Sequence, residues 1–101
     1  MKYDLIGGDQ VEYDQSEQLT LGRLIDTLSE YDNHYVVKFV GTDYSPCLTS
    51  SYRGYYDDLA INYSRDEKTV EEVISILKDA FYQVYGGYKG GVYRMARYTR
   101  V

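Results

Sequence analysis

The 101-residue sequence has one cysteine, one histidine, one proline and no tryptophan. A lone cysteine, Cys47, forms no intrachain disulfide, and His34 is the one imidazole available to join it, so a zinc centre of four nitrogen and sulfur ligands is out of reach. Oxygen-rich cation loops of the D-x-D-x-D type with a central glycine are missing as well. No metal and no cofactor are expected. Without staples the fold must rest on its core, and a chain of this length buries about two thirds of its unfolded surface. A single domain spanning 1–101 is therefore expected. No apolar run approaches the length of a membrane span, and Met1-Lys2-Tyr3-Asp4 lacks the apolar stretch and cleavage site of a signal peptide. These absences set the expectation of a cytoplasmic protein that does not enter a membrane.

Nucleophilic catalysis also lacks its parts. It needs a nucleophile, a base and an orienting group, whereas Cys47 and His34 lie in two segments that read as separate loops. Asp57-Asp58 is the one pair of adjacent acids in a tyrosine-rich stretch. Read as strand residues they face opposite sides and share neither a proton nor a metal, so one is an exposed acid and the other partners a nearby base. The expectation is a protein that is not an enzyme.

What is plentiful is tyrosine, at 14 residues against two phenylalanines. A buried phenol must find a hydrogen-bond partner, while a half-buried one offers a rigid ring and a polar tip, as binding surfaces favour. Aromatic rings also line strands for local reasons. Charge is uneven: residues 1–50 carry nine acids against three bases, a balance of −6, and residues 51–101 carry seven against eight, +1. The acidic half argues against general DNA binding and suits a basic partner. Lys89, Arg94, Arg97 and Arg100 make the end of the chain basic, and either half also serves as an ordinary solvated face.

Leu21, Leu24, Ile25 and Leu28 recur at helical spacing and predict a helix over 20–31 with Thr20 as N-cap. Val36, Val37, Phe39 and Val40 predict a short central strand closed by Gly41. Thr42 to Ser51, with Pro46 and Cys47, reads as a loop, and Tyr55 to Tyr63 as a second strand with Leu59 and Ile61 inward. Thr69-x-x-Glu72 is a capping box opening a helix whose apolar stripe continues through Val84 and Tyr85, ended by Gly86-Gly87. Val92 to Val101 reads as a last strand, and residues 3–14 around Gly7-Gly8-Asp9 as a further strand or hairpin. The fold class is α+β: a small antiparallel or mixed sheet of three to four strands packed against two helices.

Two segments carry chemistry. In Ser50-Ser51-Tyr52-Arg53-Gly54-Tyr55-Tyr56 an arginine beside a glycine is flanked by rings, a combination that grips a phosphate or carboxylate and stacks on a base or cation. Its structural alternative is a turn with Arg53 paired to Asp57 or Asp58. In Gly86-Gly87-Tyr88-Lys89-Gly90-Gly91 the glycines let backbone amides approach an anion and Lys89 adds a charge. A loop leaving a helix C-terminus has the wrong polarity for a triphosphate cradle, however, and also reads as a helix stop.

Taken together, Ser51-Tyr52-Arg53-Gly54-Tyr55-Tyr56 with Leu59-Ala60, followed by Gly87-Tyr88-Lys89-Gly90-Gly91, resemble a group of small uncharacterised bacteriophage proteins sharing an SxRGxY…LA plus GYKGG pattern. The resemblance spans residues 50–99. It implies a phage accessory protein acting in the host cytoplasm and implies no activity. The functional expectation is a non-enzymatic protein that binds and inhibits or modulates a host protein, such as a nucleic-acid-handling or defence complex. Tyr55, Tyr56, Asp57, Asp58 and Tyr63 are its candidate contacts. One alternative is a binder of a small phosphorylated ligand such as a nucleotide, held by Arg53, Tyr88, Lys89 and Gly90. Another is a structural, oligomeric virion component.

Overall fold

The computed structural model describes residues 19–39 and 41–101, together with the backbone of residues 3–6. Its elements follow the order β1 (Tyr3–Ile6), α1 (Leu21–Leu28), β2 (Val36–Phe39), β3 (Ser45–Ser51), β4 (Leu59–Ser64), α2 (Val70–Asp79), β5 (Tyr85–Gly86) and β6 (Val92–Tyr93). The class is α+β with two helices, and its strands pair antiparallel as three two-stranded ladders, β1 with β2, β3 with β4 and β5 with β6. The Gly7-Gly8-Asp9 part of the expected N-terminal hairpin lies outside the described residues, as does Val40 at the end of the expected central strand.

Both helices begin where their caps dictate. Thr20 Oγ1 accepts from the Arg23 amide at 3.3 Å. At α2 the capping box is complete, with Glu72 donating its amide to Thr69 Oγ1 and Thr69 donating its own to Glu72 Oε1. Caps of this kind satisfy amides that have no partner inside the helix. The four apolar residues of the α1 stripe are all buried and meet Val70, Val73 and Leu77 of α2 in one cluster with Val37 and Leu59. Burying each such leucine or valine contributes about 1.5–3 kcal/mol. β2 is one of two strands in its ladder and not the central strand of a wider sheet that its apolar run predicts, and of its residues Val37 alone is buried. β2 pairs with β1 along one edge. On the other edge Val37 donates to the Lys68 carbonyl at 2.9 Å and Val70 donates to the Tyr35 carbonyl at 2.8 Å.

Helix α1 ends at Leu28, three residues short of the expected Tyr31, and four further boundaries shift, each for a tertiary reason. Residues 45–51, expected in a loop, form β3 and pair with β4; the register slips between Pro46 and Leu48, a bulge that accommodates the proline's missing donor. The expected strand from Tyr55 starts at Leu59, because Tyr55 to Asp58 are drawn into a turn. Helix α2 stops at Asp79, not Tyr85, and Tyr85 instead pairs with Tyr93 in the β5–β6 hairpin. The last strand is two residues long. Beyond it the chain packs across the start of α1, where Thr99 and Arg97 carbonyls accept from Leu21 and Gly22 at 2.7 and 2.9 Å. The end of the chain thus supplies acceptors for first-turn amides that a helix leaves unpaired. No helix among the described residues is long and apolar enough to cross a membrane.

Tyr85 is the one tyrosine with a described side chain that is buried, 7% exposed. Burial pushes its phenol above the ordinary 10.0, a nearby hydrogen bond with Thr49 opposing and the neighbouring Tyr93 adding to the rise. An acid with a raised folded-state pKa favours folding below its unfolded value, and that contribution is lost as pH rises above it. The unfolding midpoint in urea should therefore fall as pH climbs from 10.0 toward the raised value. Tyr85→Phe, which has no proton to lose, should flatten the part of that fall due to this ring.

Candidate recognition site

The two segments that carry chemistry in the sequence meet in space. The first forms a tight turn in which Tyr55 donates its amide to the Tyr52 carbonyl at 2.9 Å. Its central residues Arg53 and Gly54 have φ of 55° and 73°. Two successive positive φ values mark a type I′ turn, the kind that matches strand twist. Arg53 is the sole non-glycine residue with positive φ among the described residues. Such a conformation costs a side-chain-bearing residue about 1–2 kcal/mol. The turn is held by Ser51, whose Oγ accepts from the Gly54 amide at 3.0 Å and lies 2.9 Å from the Tyr93 hydroxyl.

The second segment is a hairpin tip between β5 and β6, where Gly87 donates to the Gly91 carbonyl at 3.1 Å and Gly90 to the Gly87 carbonyl at 3.0 Å. It therefore does not leave a helix C-terminus, as the expected long α2 would have required. The Tyr88 amide donates to the Gly54 carbonyl at 3.1 Å. The Tyr56 hydroxyl donates to the Gly90 carbonyl at 3.0 Å. The two backbones come so close that a Cβ built on Gly54 would lie 2.7 Å from the Tyr88 nitrogen, and one on Gly87 would lie 2.3 Å from the Tyr56 ring.

Around this junction six tyrosines form one chain of ring contacts. Tyr52 meets Tyr55 at 5.8 Å between centroids, Tyr55 meets Tyr88 at 5.4 Å, and Tyr88 meets Tyr56 at 5.7 Å. Tyr56 continues to Tyr93 at 5.1 Å, and Tyr93 to the buried Tyr85 at 5.7 Å. Most of these pairs are edge-to-face or tilted, the arrangements that ring quadrupoles favour. Tyr52, Tyr55, Tyr56 and Tyr88 are exposed, so the chain runs from core to surface. Arg53 lies 5.5 Å from the Tyr52 centroid and Lys89 lies 5.5 Å from that of Tyr88.

Beside the rings opens a cleft of about 320 Å³ lined by Tyr55, Tyr56, Asp57, Asp58, Tyr88 and Arg100. Asp57 and Asp58 line it together. The expected opposite facing fails because they precede the strand and follow the turn instead of alternating along β4. Arg100 grips Asp58 with one edge of its guanidinium, Nε to Oδ1 at 2.8 Å and Nη2 to Oδ2 at 3.0 Å. The Arg100 amide also donates to the Asp57 carbonyl at 2.8 Å. Asp58 is thus the carboxylate that partners a base and Asp57 the exposed one; the base is Arg100, not Arg53 as the structural alternative supposed.

Of the candidate contacts, Tyr55, Tyr56, Asp57 and Asp58 come together and Tyr63 does not. Tyr63 lies at the far end of β4, edge-on to Phe39 at 3.9 Å, and borders a separate apolar cleft of about 410 Å³ with Phe39, Thr42 and Tyr44. Of the candidate ligand-binding residues, Tyr88 lines the polar cleft and Gly90 anchors Tyr56, while Arg53 and Lys89 rest on rings without lining it. Arg100 is the cleft residue that sequence reasoning missed. Arg100 showed only as part of a basic chain end, with nothing local to pair it with Asp58. Among the described residues no group of three His, Cys, Asp or Glu side chains is placed to hold a metal ion.

The close approach at Gly54 separates conformational strain from steric overlap. Gly41 has a φ of 77°, near that of Gly54, and among the described residues no atom lies within 4 Å of a built Cβ. Gly41→Ala should therefore lose about 1–2 kcal/mol, from the left-handed backbone alone. Gly54→Ala should lose more, because the obstructing atom is backbone, and it should also alter the near-ultraviolet tyrosine signal. Equal losses in urea unfolding would show that the junction yields freely. No protein-family model matches the chain, and no curated protein or solved structure matches it either.

Proposed function

We propose that the chain is a non-enzymatic recognition module that engages a protein partner through the tyrosine face built by the Tyr52–Tyr55 turn and the 86–91 hairpin tip. The observation that carries this reading is the convergence of those segments, which holds four exposed phenol rings on a braced, glycine-dependent junction. Tyrosine and arginine dominate the energetics of protein interfaces, and a ring already fixed by its neighbours loses little entropy on binding. The positive φ of Arg53 is a strain the fold carries to present that side chain beside Tyr52. The bacteriophage resemblance of the same segments makes a host protein the first partner to test, and inhibition or modulation of that protein the first consequence to measure.

The reading predicts that wild-type protein captures a saturable partner from host lysate and that Tyr55→Ala combined with Tyr88→Ala lowers the affinity by at least about thirty-fold, the loss of a single interface hot spot of about 2 kcal/mol. Circular dichroism would establish that the variant remains folded. Equal capture by wild type and variant would remove the tyrosine face from consideration.

A second reading, phosphorylated-ligand binding, has one observation in its favour: Arg53 and Lys89 are exposed and form no ion pair with a described carboxylate. It predicts that a nucleotide at a hundred times its dissociation constant raises stability by about 2.7 kcal/mol. The same nucleotide should do nothing for Arg53→Ala, Lys89→Ala.

A further inference from the structure

The cleft beside the tyrosine face differs in charge from its rim. Its lining holds two carboxylates and one guanidinium. Arg100 pairs with Asp58 through Nε and Nη2, which leaves Asp57 as a carboxylate that is exposed and has no ion-pair partner among the described residues. The remaining lining residues are Tyr55, Tyr56 and Tyr88. Ring faces carry negative charge density and attract cations, most strongly where a carboxylate stands near.

The chain already uses this chemistry on its own surface. Lys89 rests against Tyr88, Arg53 against Tyr52, and Arg65 lies 5.7 Å from the Tyr44 centroid. A phosphate or carboxylate entering the cleft would meet the carboxylate of Asp57, which is not the acid that Arg100 pairs with. At about 320 Å³ the cleft is at the lower bound of small-molecule sites, room for one long side chain.

We propose that this cleft is a receptor for a cationic side chain, a guanidinium or ammonium, with the rings of Tyr55, Tyr56 and Tyr88 as its walls and Asp57 as its counter-ion. That the cation is an arginine or lysine presented by a protein partner rests on the recognition reading above. The guest competes with Lys89 for the face of Tyr88, so the chain's own lysine weakens the site that it borders.

The test is a titration of the folded protein with N-acetyl-arginine amide, followed by the ring resonances of Tyr55, Tyr56 and Tyr88. N-acetyl-norleucine amide serves as the neutral control and inorganic phosphate as the anionic one. Cation–π contacts and an exposed ion pair are individually weak, so the affinity for the free guest lies in the millimolar range. Saturable ring shifts with the arginine derivative alone are expected. Asp57→Asn, which removes a charge with no described partner, should weaken binding at least threefold, and Lys89→Ala should tighten it at least twofold. Saturation by phosphate, equal shifts with norleucine amide, or weaker binding in Lys89→Ala would overturn the assignment. Should the arginine derivative fail to bind while the tyrosine double variant still loses its captured partner, the cation site falls and the recognition face stands. Should the guest bind while capture ignores the rings, the cation site stands and the recognition face falls.

Discussion

One backbone hydrogen bond, from the Tyr88 amide to the Gly54 carbonyl, joins the two halves of the tyrosine face. It ties a strand-connecting turn to the tip of a hairpin thirty-four positions further along, and it forms only because Gly54 presents no side chain at the point of contact. A left-handed turn at Arg53 and Gly54 aims that carbonyl outward. Short turns at the surface are ordered chiefly by what they lean on, and here each loop leans on the other.

The ring chain extends this constraint in both directions. Inward, Tyr93 and Tyr85 connect the face to the core, and the Ser51–Tyr93 contact links the end of β3 to β6. Outward, Tyr55 and Tyr88 stand exposed and rest edge-to-face against each other. The chain end plays a parallel part. Arg97 pairs with Asp26 of α1 and Arg100 pairs with Asp58, so two of the four basic residues near the terminus are spent on holding the fold together. The basic end of the sequence is thus in part an internal clamp, and the cleft that it closes is left with Asp57 as its uncompensated charge.

Much of the helical part was legible beforehand. Thr20 and Thr69 cap the two helices as expected, and the Leu21, Leu24, Ile25, Leu28 stripe is buried as its spacing requires. The strands were less legible. The Ser- and Thr-rich stretch around Pro46 carries loop chemistry, and only its antiparallel partner makes it β3. Val84 continues the α2 pattern in sequence yet stands exposed, because the pairing of Tyr85 with Tyr93 draws the chain away from the helix. Tyr63 resembled its neighbours in composition, but β4 carries it to the opposite end of the ladder.

Composition and short-range pattern by themselves determined the α+β class, the helix starts, the inward residues of α1 and the abundance of phenols. These follow from interactions between residues three or four positions apart, or from residue chemistry alone. Tertiary structure decided which rings join, which arginine meets which aspartate, and that a glycine loop becomes a hairpin tip against Gly54. The contacts that join separate segments bridge from 32 positions, Tyr56 to Tyr88, up to 71, Asp26 to Arg97, and nothing in the local preferences of either segment encodes the identity of the other.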